Sequence, residues 1–277
     1  MKSGSKAERT SLSSRDVSKT ENLFQRLSVD AAAALAAATA VSPVMTLIDR
    51  AVTESAAGQT SIASSVRDSL KSLARQPQTF LFNRPMASMF LLYSLTYLTA
   101  NTVDTLSSYS ENLPASSTTS STTKFAAVTA VNVGLALYKD ATFARSFGSP
   151  GSKLRALPAS CYVPFIVRDG ITLGATFNVP AAIAPSLPEG LEKYMSRLSI
   201  AQLAAPAASQ FLCTPLHLYG LDLYYRSGKM PLRERFEFVR RMWWSSSVAR
   251  ACRVIPAYGL GGVLNNDARK YMMEKIE

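Results

Sequence analysis

The sequence predicts an all-α membrane protein of six transmembrane helices, and three observations carry that reading. Long runs lack any charge. Basic and non-basic connections alternate between them. The chain is also short of charge for its length, with 47% hydrophobic and 18% charged residues among 277, against roughly 25% charged in an average soluble domain. Soluble amphipathic helices show a polar face about every 3.6 residues, and the longest runs here show almost none.

Residues 1–25 are polar and rich in Ser, Lys and Arg. They lack the apolar core of a secretory signal, and Glu8, Asp16 and Glu21 fit poorly with an acid-poor presequence. They are expected to be a disordered tail, with the folded domain at 26–277. Three uncharged runs follow at Ala31–Ile48, Met86–Val103 and Leu198–Leu221, each close to the ~20 residues that cross ~30 Å of hydrocarbon. Three weaker runs are Phe125–Tyr138, Ala156–Ala184 with Arg168 and Asp169 inside it, and Ala251–Leu264 with Arg253 near its start. Charge-interrupted spans fit helices that line a wet cavity, because lipid-facing charge is costly. The connections after spans one, three and five carry clusters such as Arg67, Lys71 and Arg75, or Arg233, Arg235, Arg240 and Arg241. Those after spans two and four hold few cations. The positive-inside rule reads this alternation as a topology.

The formal net charge of +11 is thereby explained without nucleic acid, which is not expected as a partner; membrane lipids are. Cys161, Cys213 and Cys252 have no metal or disulfide spacing, and His217 is the lone histidine, so no metal site and no cofactor is expected. No phosphate loop or nucleophile motif is present, and an enzyme is not expected. The cysteines read as buried small apolar residues, His217 as a neutral core residue, Trp243 and Trp244 as interfacial, and Ala31–Ala40 as a close-packing surface.

Internal similarity suggests three two-helix repeats, at about 26–106, 124–186 and 195–272. Pro43 and Pro215 sit within the first and third odd spans, where each is expected to kink its helix. Arg155-Ala-Leu-Pro158 matches Arg253-Val-Ile-Pro256, and Asp169 and Asp267 each lie 11 residues beyond their proline. Asp104 is the first-repeat counterpart.

With these features the sequence resembles the mitochondrial carrier family, over about residues 26–272. The resemblance implies three tandem helix pairs in the mitochondrial inner membrane and alternating-access transport of a small, anionic metabolite. It implies Arg253, with Arg155 in the second repeat, as substrate-binding, and Arg168 joins them as a cation inside an apolar span. Candidate gate charges are Arg50, Asp140 and Asp222, each seven residues past the proline-equivalent. At the other end stand Asp104, Asp169, Asp267 and Lys270. Each set can equally mark a membrane boundary. At the acidic and basic places of the family's odd-helix motif this chain has Met45 with Ile48, and His217 with Gly220. These departures support an alternative, a non-transporting scaffold or adaptor of the mitochondrial membrane, the outer membrane included.

Overall fold

The computed structural model describes the backbone of residues 4–148, 156–193, 195–226 and 230–276, and side chains from residue 22 onward except Phe177, Leu191 and Tyr258. Most of the tail expected at 1–25 therefore lies outside the described side chains. Among the described residues the chain is all-helical. Its helices are α1 (Gly4–Ala56), α2 (Ile62–Arg75), α3 (Pro77–Leu81), α4 (Arg84–Ser110), α5 (Thr122–Phe147), α6 (Ala159–Phe177), α7 (Val179–Ile183), α8 (Arg197–Tyr225), α9 (Leu232–Ala251) and α10 (Val263–Met273). Short polar side chains start several of them. Ser61, Asn83, Ser121 and Ser196 each accept a hydrogen bond from a backbone N–H of the first turn, the standard remedy for the unpaired N–H groups there.

The first five expected spans fall on helices α1, α4, α5, α6 with α7, and α8. The sixth differs. Ala251–Leu264 crosses the end of α9, a turn, a π-helical segment at Ile255–Gly262 and the start of α10. Pro256 removes a backbone donor here, and Gly259, Gly261 and Gly262 weaken the helix that follows. Among the described residues, one helix, Asn22–Ala56, is long and apolar enough, by length and composition, to cross a membrane. Hydroxyl, amide and charged residues dilute the other helices below that mark.

Packing follows from side-chain size. On α1, Ala33, Ala34, Ala37, Ala38 and Val41 are almost wholly buried, two adjacent ridges at helical spacing. Small side chains there let neighbouring backbones come close. Val41 and Met45 join Met89 and Leu92 of α4 and Ala136 and Phe143 of α5 in one core cluster. A second cluster links Ala56, Ala141 and Ala144 to Cys161 and Phe165 of α6 and to Leu218, Leu221 and Tyr224 of α8. Gly220 is required at that junction, because a Cβ there would run into the Phe165 ring. Gly261 lies equally tightly against Tyr97 and Val41. Pro43 lies inside α1 and Pro215 inside α8, and both helices continue through them.

The outer surface is apolar where the interior is not. Leu91 and Leu95 of α4, Val163, Ile166 and Val167 of α6, and Leu212 of α8 are exposed. Asp49, Lys139, Asp140, Arg168, Asp222, Arg250 and Arg269 are buried. Water-soluble proteins bury charged residues only rarely, and so inverted a distribution suits a lipid surround. Cys161 and Cys213 are buried, but Cys252 is exposed; it follows α9 at a turn rather than sitting within a packed helix.

Candidate functional site

A cavity of about 210 Å³ lies among the helices. Each contributing element presents one face at helical spacing. Helix α4 supplies Leu92, Tyr93, Thr96 and Tyr97; α5 supplies Asn132, Ala136 and Lys139; α6 supplies Arg168, Asp169 and Thr172; α8 supplies Pro206 and Gln210. Arg250, Arg253, Val254 and Ala257 come from the end of α9, the turn beyond it and the π-helical segment. The periodicity that places an apolar stripe against a core here places polar groups around a cavity.

One chain of ion pairs runs along this lining. Arg253 Nη1 lies 2.7 Å from Asp49 Oδ1 on α1, and Lys139 Nζ lies 2.7 Å from Asp49 Oδ2. Lys139 also meets Asp140 at 2.6 Å. Asp140 Oδ2 meets Arg168 Nη1 at 2.6 Å, and Arg168 Nη2 meets Asp169 Oδ1 at 2.7 Å. Arg168 Nη1 also stands 2.8 Å from His217 Nδ1. A guanidinium can only donate, so Nδ1 is the acceptor and the ring proton sits on Nε2. His217 is thus a neutral ligand to the Arg168 guanidinium. Three cations and three carboxylates balance along this chain, which ties α1, α5, α6, α8 and the segment after α9 together. Pairing of this kind makes charge tolerable in a low-dielectric interior.

Arg250 breaks the balance. It is 4% exposed, it lines the cavity, and its buried Nε has no hydrogen-bond partner. No carboxylate forms an ion pair with it among the described residues. Elsewhere in the lining, Asp169 directs Oδ1 to Arg168 and leaves Oδ2 buried without a hydrogen-bond partner. Buried polar groups are nearly always satisfied, and Arg250 Nε, Arg253 Nε and Asp169 Oδ2 are three unsatisfied atoms of charged groups around one cavity, which points to a ligand.

A second buried network sits along α1 toward its start, about 28 Å from Asp49 at 1.5 Å per residue. Arg269 of α10 donates to Asp30 at 2.7 Å, to Thr105 Oγ1 at 3.0 Å, and to the carbonyls of Ala115 and Ser117 at 3.2 and 3.3 Å. The side-chain amides of Asn101 and Asn265 exchange two hydrogen bonds of 2.9 Å beside it.

The structure distributes the residues expected from sequence as follows. Arg253 and Arg168 reach the cavity, although both are held by carboxylates rather than standing open. Arg155 lies outside the described residues. The gate triad is not assembled by any ion pair. Arg50 pairs with Glu54 one turn on, at 2.8 Å, and lies over the Phe147 ring. Asp140 belongs to the cavity chain, and Asp222 pairs with Arg226 at 2.8 Å and with Arg235 of α9. Spacing from a proline did not bring these three together, because their helices present different faces at those positions. The second set also disperses. Asp104 accepts from Lys124 at 2.7 Å and from the Thr119 N–H, Asp169 lines the cavity, Asp267 is exposed, and Lys270 reaches only Glu274, at 3.9 Å. On α10 the inward cation is Arg269, one residue before Lys270.

Sequence reasoning missed Asp49, Arg250, Asp30 and Arg269. Asp49 is the first acid after the uncharged run of α1. Arg250 shares a helical face with Arg253, Val254 and Ala257, which was a legible signal hidden by the basic cluster around it.

The lining carries one carboxylate, Asp169, beside the cations Lys139, Arg168, Arg250 and Arg253. The three-helix-pair resemblance is overturned. The family model that matches, over residues 32–273, is described as a probable citrulline exporter, and it is not the mitochondrial carrier family. Basic alternation, prolines in apolar helices and an Arg-x-x-Pro pair are features that many helical membrane proteins share. The acid and base positions that would have been specific are occupied by Met45, Ile48, His217 and Gly220, and Gly220 is there to admit Phe165. No curated protein and no solved structure matches the chain. The family points to a membrane protein that transports a small molecule. With the match running from within α1 to the end of α10, the chain belongs to the probable citrulline exporter family.

Proposed function

We propose that the protein moves a small neutral amino acid, citrulline being the type, across a membrane, with its six long helical stretches spanning the bilayer. The observation that carries this is a charge-lined cavity inside a bundle whose helices α4, α6 and α8 expose large apolar side chains. Family membership supplies the direction, export, and the solute. Citrulline is a zwitterion with an uncharged, hydrogen-bonding tail. The cavity offers both signs of charge together with Asn132, Gln210, Thr96 and Thr172. Its volume lies below the ~300–1,000 Å³ of drug-sized pockets, as suits a metabolite.

The scaffold alternative rested on missing carrier gate motifs, which membership of another family no longer requires. The mitochondrial address came with the carrier resemblance. We keep it as a proposed location, tested by fractionation against inner- and outer-membrane markers.

The deciding experiment uses purified full-length protein in liposomes loaded with labelled citrulline. Saturable efflux above that of protein-free liposomes is expected, and its absence overturns the citrulline reading. Retention in the membrane pellet after alkaline carbonate checks that the chain spans the bilayer.

A further inference from the structure

We propose that Arg250 and Asp169 form a two-ended clamp for an α-amino acid, with the Arg250 guanidinium receiving the carboxylate and Asp169 Oδ2 receiving the ammonium. The inference deepens the transport reading above and rests on it for the existence of a solute.

Every other cation in the lining is already committed. Arg253 and Lys139 share Asp49, and Arg168 is divided among Asp140, Asp169 and His217. Arg250 and Arg253 both have a buried Nε without a hydrogen-bond partner, but Arg253 is paired with Asp49, whereas Arg250 has no ion pair among the described residues. A guanidinium fork matches a carboxylate with two parallel N–H···O bonds. The second requirement is met by Asp169, which lines the same cavity. Arg168 occupies one oxygen of Asp169 and fixes that carboxylate in place, leaving Oδ2 as an acceptor. Arg250 and Asp169 line the same cavity and make no ion pair with each other among the described residues, so a solute in that cavity can carry a charge for each.

The clamp predicts a solute class. A simple carboxylate satisfies Arg250 but brings no cation for Asp169. A simple amine satisfies Asp169 and leaves Arg250 buried and unpaired. A zwitterion satisfies both, and a site built to bond a group rejects the analogue that lacks it. Neutral α-amino acids are therefore taken, and their des-amino and decarboxy relatives are discriminated against.

The test is equilibrium binding to the purified full-length protein in detergent. Citrulline, glutamine and serine are the neutral amino acids, and des-amino citrulline and decarboxy citrulline are the truncated probes. Wild-type protein is expected to bind at least one neutral amino acid about tenfold or more tighter than either truncated probe, the scale of one lost charged hydrogen bond. Arg250→Gln is expected to erase the preference over decarboxy citrulline while keeping that over des-amino citrulline. Asp169→Asn is expected to do the reverse. Arg250→Lys, which keeps the charge without the fork, retains part of the carboxylate preference. Melting without ligand confirms that each variant is folded. Binding of serine or glutamine but not citrulline discards citrulline and leaves the clamp standing. Loss of all ligands in equal proportion in both variants, unchanged discrimination, or no binding of any neutral amino acid to wild type overturns the clamp.

Discussion

Arg269 and Arg250 are buried to the same degree, 2% and 4% exposed, yet they are employed in opposite ways. Arg269 gives its guanidinium to a carboxylate, a hydroxyl and two backbone carbonyls, joining α10 to α1, α4 and the α4–α5 connection. Arg250 makes no ion pair among the described residues, leaves its buried Nε without a hydrogen-bond partner and lines a cavity. Burial alone therefore does not tell a structural charge from a functional one. The decisive property is whether the protein itself supplies the partners, because an unsatisfied buried group carries its full desolvation cost. One end of the bundle is fastened by a saturated cation, and the cavity retains a cation in need of a ligand.

The comparison breaks first at Arg269. Arg269→Ala leaves Asp30 buried without its cation and frees the Ala115 and Ser117 carbonyls, so a loss of about 3–5 kcal/mol is expected, the scale of one partner removed from a buried pair. Thermal unfolding in detergent measures it. An unchanged melting temperature would remove the distinction between the two arginines.

The next effect concerns how the cavity side is held. Helix α8 approaches α6 through Gly220, and the same approach lets Arg168 reach His217. Gly220→Ala places a methyl against the Phe165 ring, which is wholly buried and has no free end to swing away. A loss of about 1–3 kcal/mol is expected from overpacking, with weaker solute binding because Arg168 and Asp169 move with α6. Full binding in a destabilised Gly220→Ala variant would show that the α6 wall is not part of the site.

The helical class and five of the six long helices were legible in the runs without charge, because an apolar run of fixed length has few other uses. The sixth was misread, since hydropathy sums over Ala251–Leu264 without registering that Pro256 and three glycines interrupt it. The site was less legible. Arg253 and Arg168 were recognisable as cations in apolar surroundings, but whether a charge is free or paired depends on contacts between helices far apart in sequence, such as Asp49 with Arg253. Counting from prolines also carried Arg50 and Asp222 into a gate and passed over Asp49, one residue before Arg50. The facing direction of a helix changes by about 100° per residue, so an error of one position exchanges Asp49, which holds the lining residues Arg253 and Lys139, for Arg50, which pairs with Glu54 on its own helix.

The smallest expected effect has the opposite sign and is the sharpest use of the comparison. Arg250→Met keeps most of the side-chain volume and removes a buried cation that the folded protein leaves unpaired. Replacing buried charge with a well-packed apolar side chain is often stabilising. In the absence of solute the variant is therefore expected to gain about 1 kcal/mol, where Arg269→Met, which strips Asp30 of its cation, loses several. Saturating solute should reverse the order, raising the melting temperature of wild type and leaving that of Arg250→Met where it was, since ligand stabilises only the state that binds it. Paired melting curves with and without a neutral amino acid give both comparisons. Destabilisation of Arg250→Met without solute would mean that Arg250 is structural after all, and the contrast with Arg269 would collapse.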